Sequence, residues 1–440
     1  MLFNASDYNG HWEEKKLSEL GTFKRGKSKH RPRNDPSIYV GGGYPLVQTG
    51  QIKSANLYVT SHKQEYNEEG LKQSHLWPKN TLCITIAANI AETAILGYPM
   101  CFPDSIVGFN AYKGVSSEEF MHYIFTFIKK TIQNSASGSI QDNINIDYLT
   151  GLKFRIPDIT YQNKIVEVLS SIDEKIDINH RMNDLLDKTI QSAFSDWFIN
   201  YNFPNKNNAP YAQNEGEFNY CEEVEDDIPK EWSSVTLNWF IKTNKTGDWG
   251  KEEPEGNYTD PVYCIRGADI KSINGMAPLD VPERYILRKN AFKKLEFNDI
   301  IIEISGGSPT QSTGRIALMT EKSLERFSKP VICSNFCKVL SLKDQDYTYF
   351  FYCLWNHLYN NDVFFDWEGK TSGIKNLLFD SLIDNYHVVL PKKETVRRFS
   401  EYVEPMFDKM QINLRQIEEY RKMRDWLLPL LMSGQVTFED

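Results

Sequence analysis

Six bases near the N-terminus are the residues best placed to engage a polyanion. Lys24, Arg25, Lys27, Lys29, Arg31 and Arg33 fall within ten residues, with no acid among them. Such a run can neutralise the phosphates of a nucleic-acid duplex. It overlaps a formal match, GTFKRGKS at 21–28, to the phosphate-cradling pattern G-x-x-x-x-G-K-[ST]. That chemistry needs an apolar strand before the loop and a helix directly after it, so that backbone N–H groups point at phosphate. EEKKLSEL is not an apolar strand, and Pro32 and Pro36 exclude a helix in KHRPRNDP. The stretch therefore reads as a basic loop, with His30 the one histidine inside it.

Other polar loops could read base edges. Residues 305–315, SGGSPTQSTGR, offer Thr310, Gln311, Ser312, Thr313 and Arg315. Residues 367–376 offer Lys370, Thr371, Ser372 and Lys375, and residues 135–145 offer Ser139, Gln141, Asp142 and Asn143. Arg266 is counted with them. Gln, Asn and Arg suit bidentate reading of adenine and guanine, although short polar loops are also ordinary turns. Catalytic signatures are missing. The sequence has no Asn/Asp-Pro-Pro-aromatic motif of amino-methyltransferases, no glycine-rich cofactor loop after a strand, no histidine pair at metal spacing and no G-x-S-x-G. The seven cysteines include no CxxC pair and read as reduced, buried thiols of a cytosolic protein, with no metal site.

The elements that must position these loops occur twice. HWEEKKLSEL at Trp12 is matched by EWSSVTLNWF at Trp232, an offset of 220. TGQIKSANLY at Thr49 matches GADIKSINGM at Gly267, and IDEKIDINHR at Ile172 matches MFDKMQINLR at Met406. In the last pair Lys175/Lys409, Ile178/Ile412, Asn179/Asn413 and Arg181/Arg415 are identical. The period is too long for a solenoid, so the chain is a duplicated domain expected to fold with pseudo-twofold symmetry.

Each copy has the same layout. Residues 82–90 and 300–304 read as buried strands. Residues 116–133 read as an amphipathic helix, with Ser116 as N-cap and Glu119 closing a capping box, and 346–359 is its counterpart. Both copies then give a strand ending in proline, at Pro157 and Pro391, followed by a long helix. In the first helix Ile165, Leu169, Ile172 and Ile176 form an apolar stripe that continues, after a phase slip, through Met182, Leu186, Ile190, Phe194 and Trp197. In the second, Phe399, Val403, Met406, Met410, Leu414 and Ile417 do the same, with Pro405 expected to kink the helix or restart it. Helices of 35–40 residues would be about 50–60 Å long, and their seams could bury against each other as an antiparallel coiled coil. Residues 200–230, rich in Asn and acid, read as a solvated connector.

Bulk properties agree with a soluble, multi-domain protein of mixed α/β (α+β) class. Apolar residues make up 40% and aromatics 13%, enough for real cores. The balance of 50 Lys+Arg against 59 Asp+Glu gives −9, which excludes a protein that coats nucleic acid by charge alone. The N-terminal residues show no signal-peptide pattern, and no apolar run is long enough for a membrane span.

Two variable halves, each closing on a G-S-rich loop, a strand to proline and a long helix, resemble the specificity subunits of type I restriction–modification systems. SGSIQDNINIDYLTGLKFRIP, YQNKIVEVLSSIDEKI, the closing DWLLPLLMSGQV and the W-x-x-x-x-L openings carry the resemblance over essentially the whole chain. It implies target-recognition domains at 1–158 and 231–392, spacer helices at 159–200 and 393–433, and an acidic linker at 201–230. Each domain would read half of a split, asymmetric site on double-stranded DNA, and the helices would set the gap. The resemblance also implies no catalytic site and no cofactor in this chain. Its partners would be two methyltransferase subunits using S-adenosylmethionine and two restriction subunits using ATP and Mg, in the cytoplasm. A coiled-coil scaffold with two ligand-binding domains and no DNA role remains the alternative from the residues alone.

Overall fold

The computed structural model describes residues 11–137, 144–214, 216–274, 279–308, 310–371 and 374–438. The chain divides into two units. One runs to Asp177 and takes in the chain from Glu419 onward; the other is Ile178–Glu418.

In the first unit the chain after Trp12 forms β1 (Glu13–Lys16), a 3-10 turn at Leu17–Glu19 and β2 (Gly21–Arg25). Leu17 and Leu20 are fully buried and anchor the turn between two charged strands. With β3 (Leu82–Thr85), β4 (Thr93–Leu96) and β5 (Ile106–Ala111), β2 builds a sheet ordered β2-β5-β3-β4, and Tyr58–Val59 adds to β4 in parallel. Phe109 of β5 opposes Phe23 on one side and Leu82 on the other. Strand alternation sends Leu82 and Ile84 into one core with Phe120, Ile124 and Ile128 of helix α1 (Glu118–Ser137). Cys83 faces a second core with Trp77 and Phe102. Burial on both faces explains the unbroken apolar run.

The cap of α1 lies one residue later than the sequence predicts. Ser117 Oγ accepts the Phe120 N–H at 3.1 Å, and Glu119 accepts the Tyr58 hydroxyl instead of closing a capping box. The N–H groups of Val115 and Ser116 both turn back to the Tyr112 carbonyl, which holds Ser116 in the preceding turn. β6 (Lys153–Ile156) then pairs antiparallel with β1, Ile156 opposite Glu13, and helix α2 (Ile159–Phe194) follows Pro157.

The second unit repeats this order. β7 (Ser233–Thr236), a 3-10 turn at Leu237–Trp239 and β8 (Ile241–Thr246) follow Trp232. β9 (Ile300–Glu303), β10 (Ile316–Leu318) and β11 (Cys337–Leu342) complete a sheet ordered β8-β11-β9-β10. Helix α3 (Thr348–Asn360) packs on it, β12 (His387–Leu390) pairs with β7, and α4 (Lys393–Met432) follows Pro391. The repeat in the sequence is thus a repeat of topology.

Three local expectations are corrected. The acidic connector is folded: Phe218–Cys221 pairs with Asp226–Pro229, and the Phe203 ring lies 4.7 Å from both Tyr211 and Trp232. Its described acids stay exposed while Tyr201 and Phe203 are drawn onto Trp232, because burying a ring contributes roughly 1.5–3 kcal/mol. The seam of α2 has no phase slip. Within the second unit Met182 is exposed, and Asn179 and Asn183 take the inward positions ahead of Leu186, Ile190 and Phe194. Finally, α4 runs through Pro405 unbroken. Pro405 and Glu401 are both exposed, so water can reach the Glu401 carbonyl that the missing N–H leaves free.

The helices meet antiparallel inside each unit. In the second, Asn179 Nδ2 donates to Gln416 Oε1 at 3.2 Å, Asn183 Nδ2 to the Met410 carbonyl at 3.1 Å and Asn413 Nδ2 to Asn183 Oδ1 at 2.8 Å. In the first, Ile165 and Leu169 share a core with Leu428 and Leu431. There Asp173, buried, accepts Arg424 and the Tyr123 hydroxyl, each at 2.8 Å.

The Asn183–Asn413 pair predicts a specific stability pattern. Asn183→Ala should lower stability by about 1–3 kcal/mol, since the buried Asn413 amide loses its acceptor. Leucine at both positions should restore it at the expense of register. Denaturant titration of the three proteins checks this; a wild-type midpoint for Asn183→Ala would refute it.

Candidate nucleic-acid interface

The basic run begins on β2, where Lys24 and Arg25 oppose Gly108 and Val107 of β5. A side chain at Gly26 would meet the Pro103 carbonyl at 2.3 Å, so the strand exits through a position only glycine fills. The chain then runs without regular structure to a turn at 32–35, where the Asp35 N–H donates to the Pro32 carbonyl, and on to a 3-10 turn at Pro36–Ile38. This is a strand followed by an irregular segment with a turn, without the helix that a phosphate-cradling loop requires. Gln73 Oε1 accepts the N–H groups of Lys29 and His30, at 2.7 and 3.1 Å, and fixes the segment.

Tertiary contacts supply the acid that the run itself lacks. Asp104 takes Arg33 at 2.7 Å and Arg31 at 3.9 Å, and its carbonyl accepts Arg25 Nε at 2.5 Å. His30 lies 2.7 Å from Asp35, whose carboxyl is held down to about 2 by the Ser37 N–H, the His30 ring and the Ser37 hydroxyl. Lys24, Lys27 and Lys29 are exposed and have no ion pair among the described residues. Arg31 and Arg33 therefore shape the segment, and the three lysines with Arg25, which bonds only a neutral carbonyl, carry its available charge.

In the second unit the two expected polar loops are brought together. Ser305–Gly306 pairs with Asn376 and Lys375 of the strand Ile374–Leu377, which also pairs with Glu368–Thr371 and sets Lys370 opposite Lys375. The individual roles differ from those expected. Ser312 and Thr313 are buried, and the Thr313 N–H donates to Glu368 at 2.8 Å. Arg315 makes two bonds, 2.8 and 2.5 Å, to the buried Glu303. These three side chains build the loop and have no free edge for a base. Gln311 donates to the Tyr359 hydroxyl at 3.1 Å, while Thr310 is exposed at the tip. Lys375 is held by Glu368 at 2.8 Å and stacks over Phe365. Arg266 grips the buried Asp269 through two bonds, at 2.8 and 2.9 Å, and braces its own turn. Ser139, Gln141, Asn143 and Ser372 lie outside the described residues.

Sequence reasoning missed the first unit's counterpart of the 305–315 loop. β3 ends at Thr85, so the rest of the 82–90 apolar run is the turn to β4 rather than strand. The signal was Asn89, a polar residue inside an otherwise apolar stretch. Among the described residues no group of three His, Cys, Asp or Glu could hold a metal, and no helix is long and apolar enough to cross a membrane.

Two topologically equivalent units, each setting charged or polar loops beside a sheet rooted on a long helix, define a duplicated recognition protein. Residues 9–188 match the family described as type I restriction modification DNA specificity domain. The chain is 25% identical over 439 residues to the type I restriction enzyme MjaIX specificity subunit of Methanocaldococcus jannaschii, covering 98% of this chain and 94% of that one. It is 21% identical over 341 residues to the HindI specificity subunit of Haemophilus influenzae, covering 70% and 74%. A solved S subunit of a type I system from M. genitalium shares the fold, with a TM-score of 0.55, 15% identity and coverage of 98% and 97%. The chain thus carries a type I restriction modification DNA specificity domain at 9–188 and resembles the specificity subunits of type I systems over nearly its whole length.

The Arg315–Glu303 pair separates scaffolding from reading. Arg315→Ala leaves a buried carboxylate unpaired and should lower stability by about 3–5 kcal/mol. An unchanged thermal midpoint would mean that Arg315 is not needed to hold the loop.

Proposed function

We propose that each unit reads one half of a bipartite, asymmetric site on double-stranded DNA, through recognition domains at 1–158 and 231–392. The observation that carries this is the repeated topology with unlike loops at equivalent places. Between equivalent paired strands, one copy presents a turn built without glycine that carries Asn89, and the other a glycine-rich loop joined to a small sheet. Equivalent frames with different loops suit two different half-sites. The helices at 159–200 and 393–433 set the gap: their length of about 50–60 Å exceeds the roughly 34–36 Å of one DNA turn.

Two methyltransferase subunits dock on this chain and two restriction subunits complete the enzyme in the cytoplasm. S-adenosylmethionine, ATP and Mg serve those partners, and this chain holds no cofactor. The net charge of −9 fits such a division, because partners can supply much of the phosphate contact. Of the residues expected from the sequence, Lys24, Arg25, Lys27, Lys29 and Thr310 combine exposure with the lack of a carboxylate partner among the described residues, while Arg31 and Arg33 are exposed but paired with Asp104.

Methylome sequencing of a host expressing this chain with its cognate methyltransferase subunit should reveal a split motif with N6-methyladenine in both halves. No new motif, while the same methyltransferase works with another specificity subunit, would overturn the proposal. Replacing Lys24, Lys27 and Lys29 together by Ala should reduce the slope of log affinity against log salt by about 2.7. An unchanged slope would favour the scaffold without a DNA role.

A further inference from the structure

We infer that the turn from β3 to β4 is a base-reading element of the first unit, and that Asn89 reads an adenine edge in the major groove. This rests on the DNA-reading function proposed above and names a residue within it.

The backbone is the first argument. Ala88, Asn89 and Ala91 have φ of 48°, 46° and 62°, all in the left-handed region that side chains avoid. The second unit makes the equivalent turn, from β9 to β10, with glycine at its positive-φ positions Gly306, Gly307 and Gly314. The first unit uses none, so its turn must be imposed by its surroundings. Thr85 does most of this. Its hydroxyl donates to the Asn89 carbonyl at 2.5 Å and accepts the Glu92 N–H at 3.0 Å, and its carbonyl accepts the Ala91 N–H at 2.9 Å. From α1, Gln133 donates to the Ile90 carbonyl at 2.9 Å and Lys129 pairs with Glu92 at 2.7 Å. Strain held in place from several sides is characteristic of functional loops.

What the turn presents is the second argument. Asn89 is exposed, and its Oδ1 accepts Lys53 Nζ at 3.3 Å from the helix Thr49–Ser54. Among the described residues Nδ2 has no partner. The amide is therefore aimed by one bond, with its two donors and one lone pair still available. That donor–acceptor pair matches N7 and the N6 amino group of adenine. The Lys53 ammonium beside it has further protons for a phosphate oxygen. Lys53 corresponds to Lys271 in the repeat, also exposed and on the short helix Ile270–Ile273. Asn274, at the end of that helix, donates to the Ile316 carbonyl at 2.7 Å at the start of β10. The helix-beside-turn arrangement thus occurs in both units.

Methylome sequencing of Asn89→Ala and Asn89→Gly, each in the full chain with the cognate methyltransferase subunit, tests the inference. Both variants should lose discrimination at one A·T position in one half of the split motif, with methylation of cognate sites favoured over mismatched ones about tenfold less or worse. The other half should be unchanged. Wild-type motifs from both variants would overturn the inference and leave the proposed function standing. Loss across both halves with Asn89→Ala, reversed by the glycine that relaxes the turn, would also overturn it by assigning Asn89 a purely structural part. Absence of any split motif for the unsubstituted chain would remove the proposed function and this inference together.

Discussion

A buried amide accepts few arrangements, and that constraint governs the helix pairing in the second unit. Asn183 sits where an apolar residue would otherwise continue the seam of α2, and it is satisfied only when Asn413 and the Met410 carbonyl stand opposite it. Leucine there would pack in several registers, whereas asparagine leaves an unpaired amide in all but one. The recognition sheet of that unit is tied to the same helix face. Arg326 reaches Gln411 at 3.0 Å and Glu418 at 2.8 Å, and Gln411 returns a bond to the Ile273 carbonyl. The register of the helices and the placement of the sheet are thus one problem, solved by polar groups that tolerate no slip.

A second device roots each sheet on its helix. β1 and β6, and likewise β7 and β12, form a two-stranded ribbon that brings the start of a repeat back to the strand before its proline. In the first unit Gln162, nearly fully buried on the first turn of α2, donates to the carbonyls of Pro157 and Val115 and closes the joint. In the second, the Tyr347 hydroxyl donates to the Pro391 carbonyl. Loops carried on such a frame keep a fixed relation to the helix beneath them, as a reading surface requires.

The charge pattern carries a related lesson. A run of six bases in an acidic chain reads as one patch, yet Asp104 and Asp35 divide it into Arg31, Arg33 and His30, which hold the segment, and the lysines with Arg25, left for a ligand. The glycine-rich loop of the second unit divides the same way: Arg315 and Thr313 are structural, and Thr310 is presented at the tip. In both places the residues with the richest hydrogen-bonding chemistry were enlisted by the fold, because a buried carboxylate such as Glu303 must be paired.

Much of the architecture was legible in the sequence because periodicity and duplication are local records of burial. Two copies of a tryptophan-led strand, two proline-ended strands and two long seams can be read without knowing what touches what. The boundaries and roles that escaped depend on contacts distant in sequence. Met182 looked like seam until Asn183 found Asn413. The connector looked solvated until Tyr201 and Phe203 found Trp232, and Ser116 looked like a cap until the Tyr112 carbonyl claimed its N–H. Asn89 broke the apolar run, but nothing local shows that Thr85 and Gln133 hold a turn there in place of a strand. Composition and spacing determined which elements exist and that they come in pairs; only the tertiary structure decided which polar side chains are consumed in holding them, since hydrogen bonds and ion pairs are settled by proximity in space.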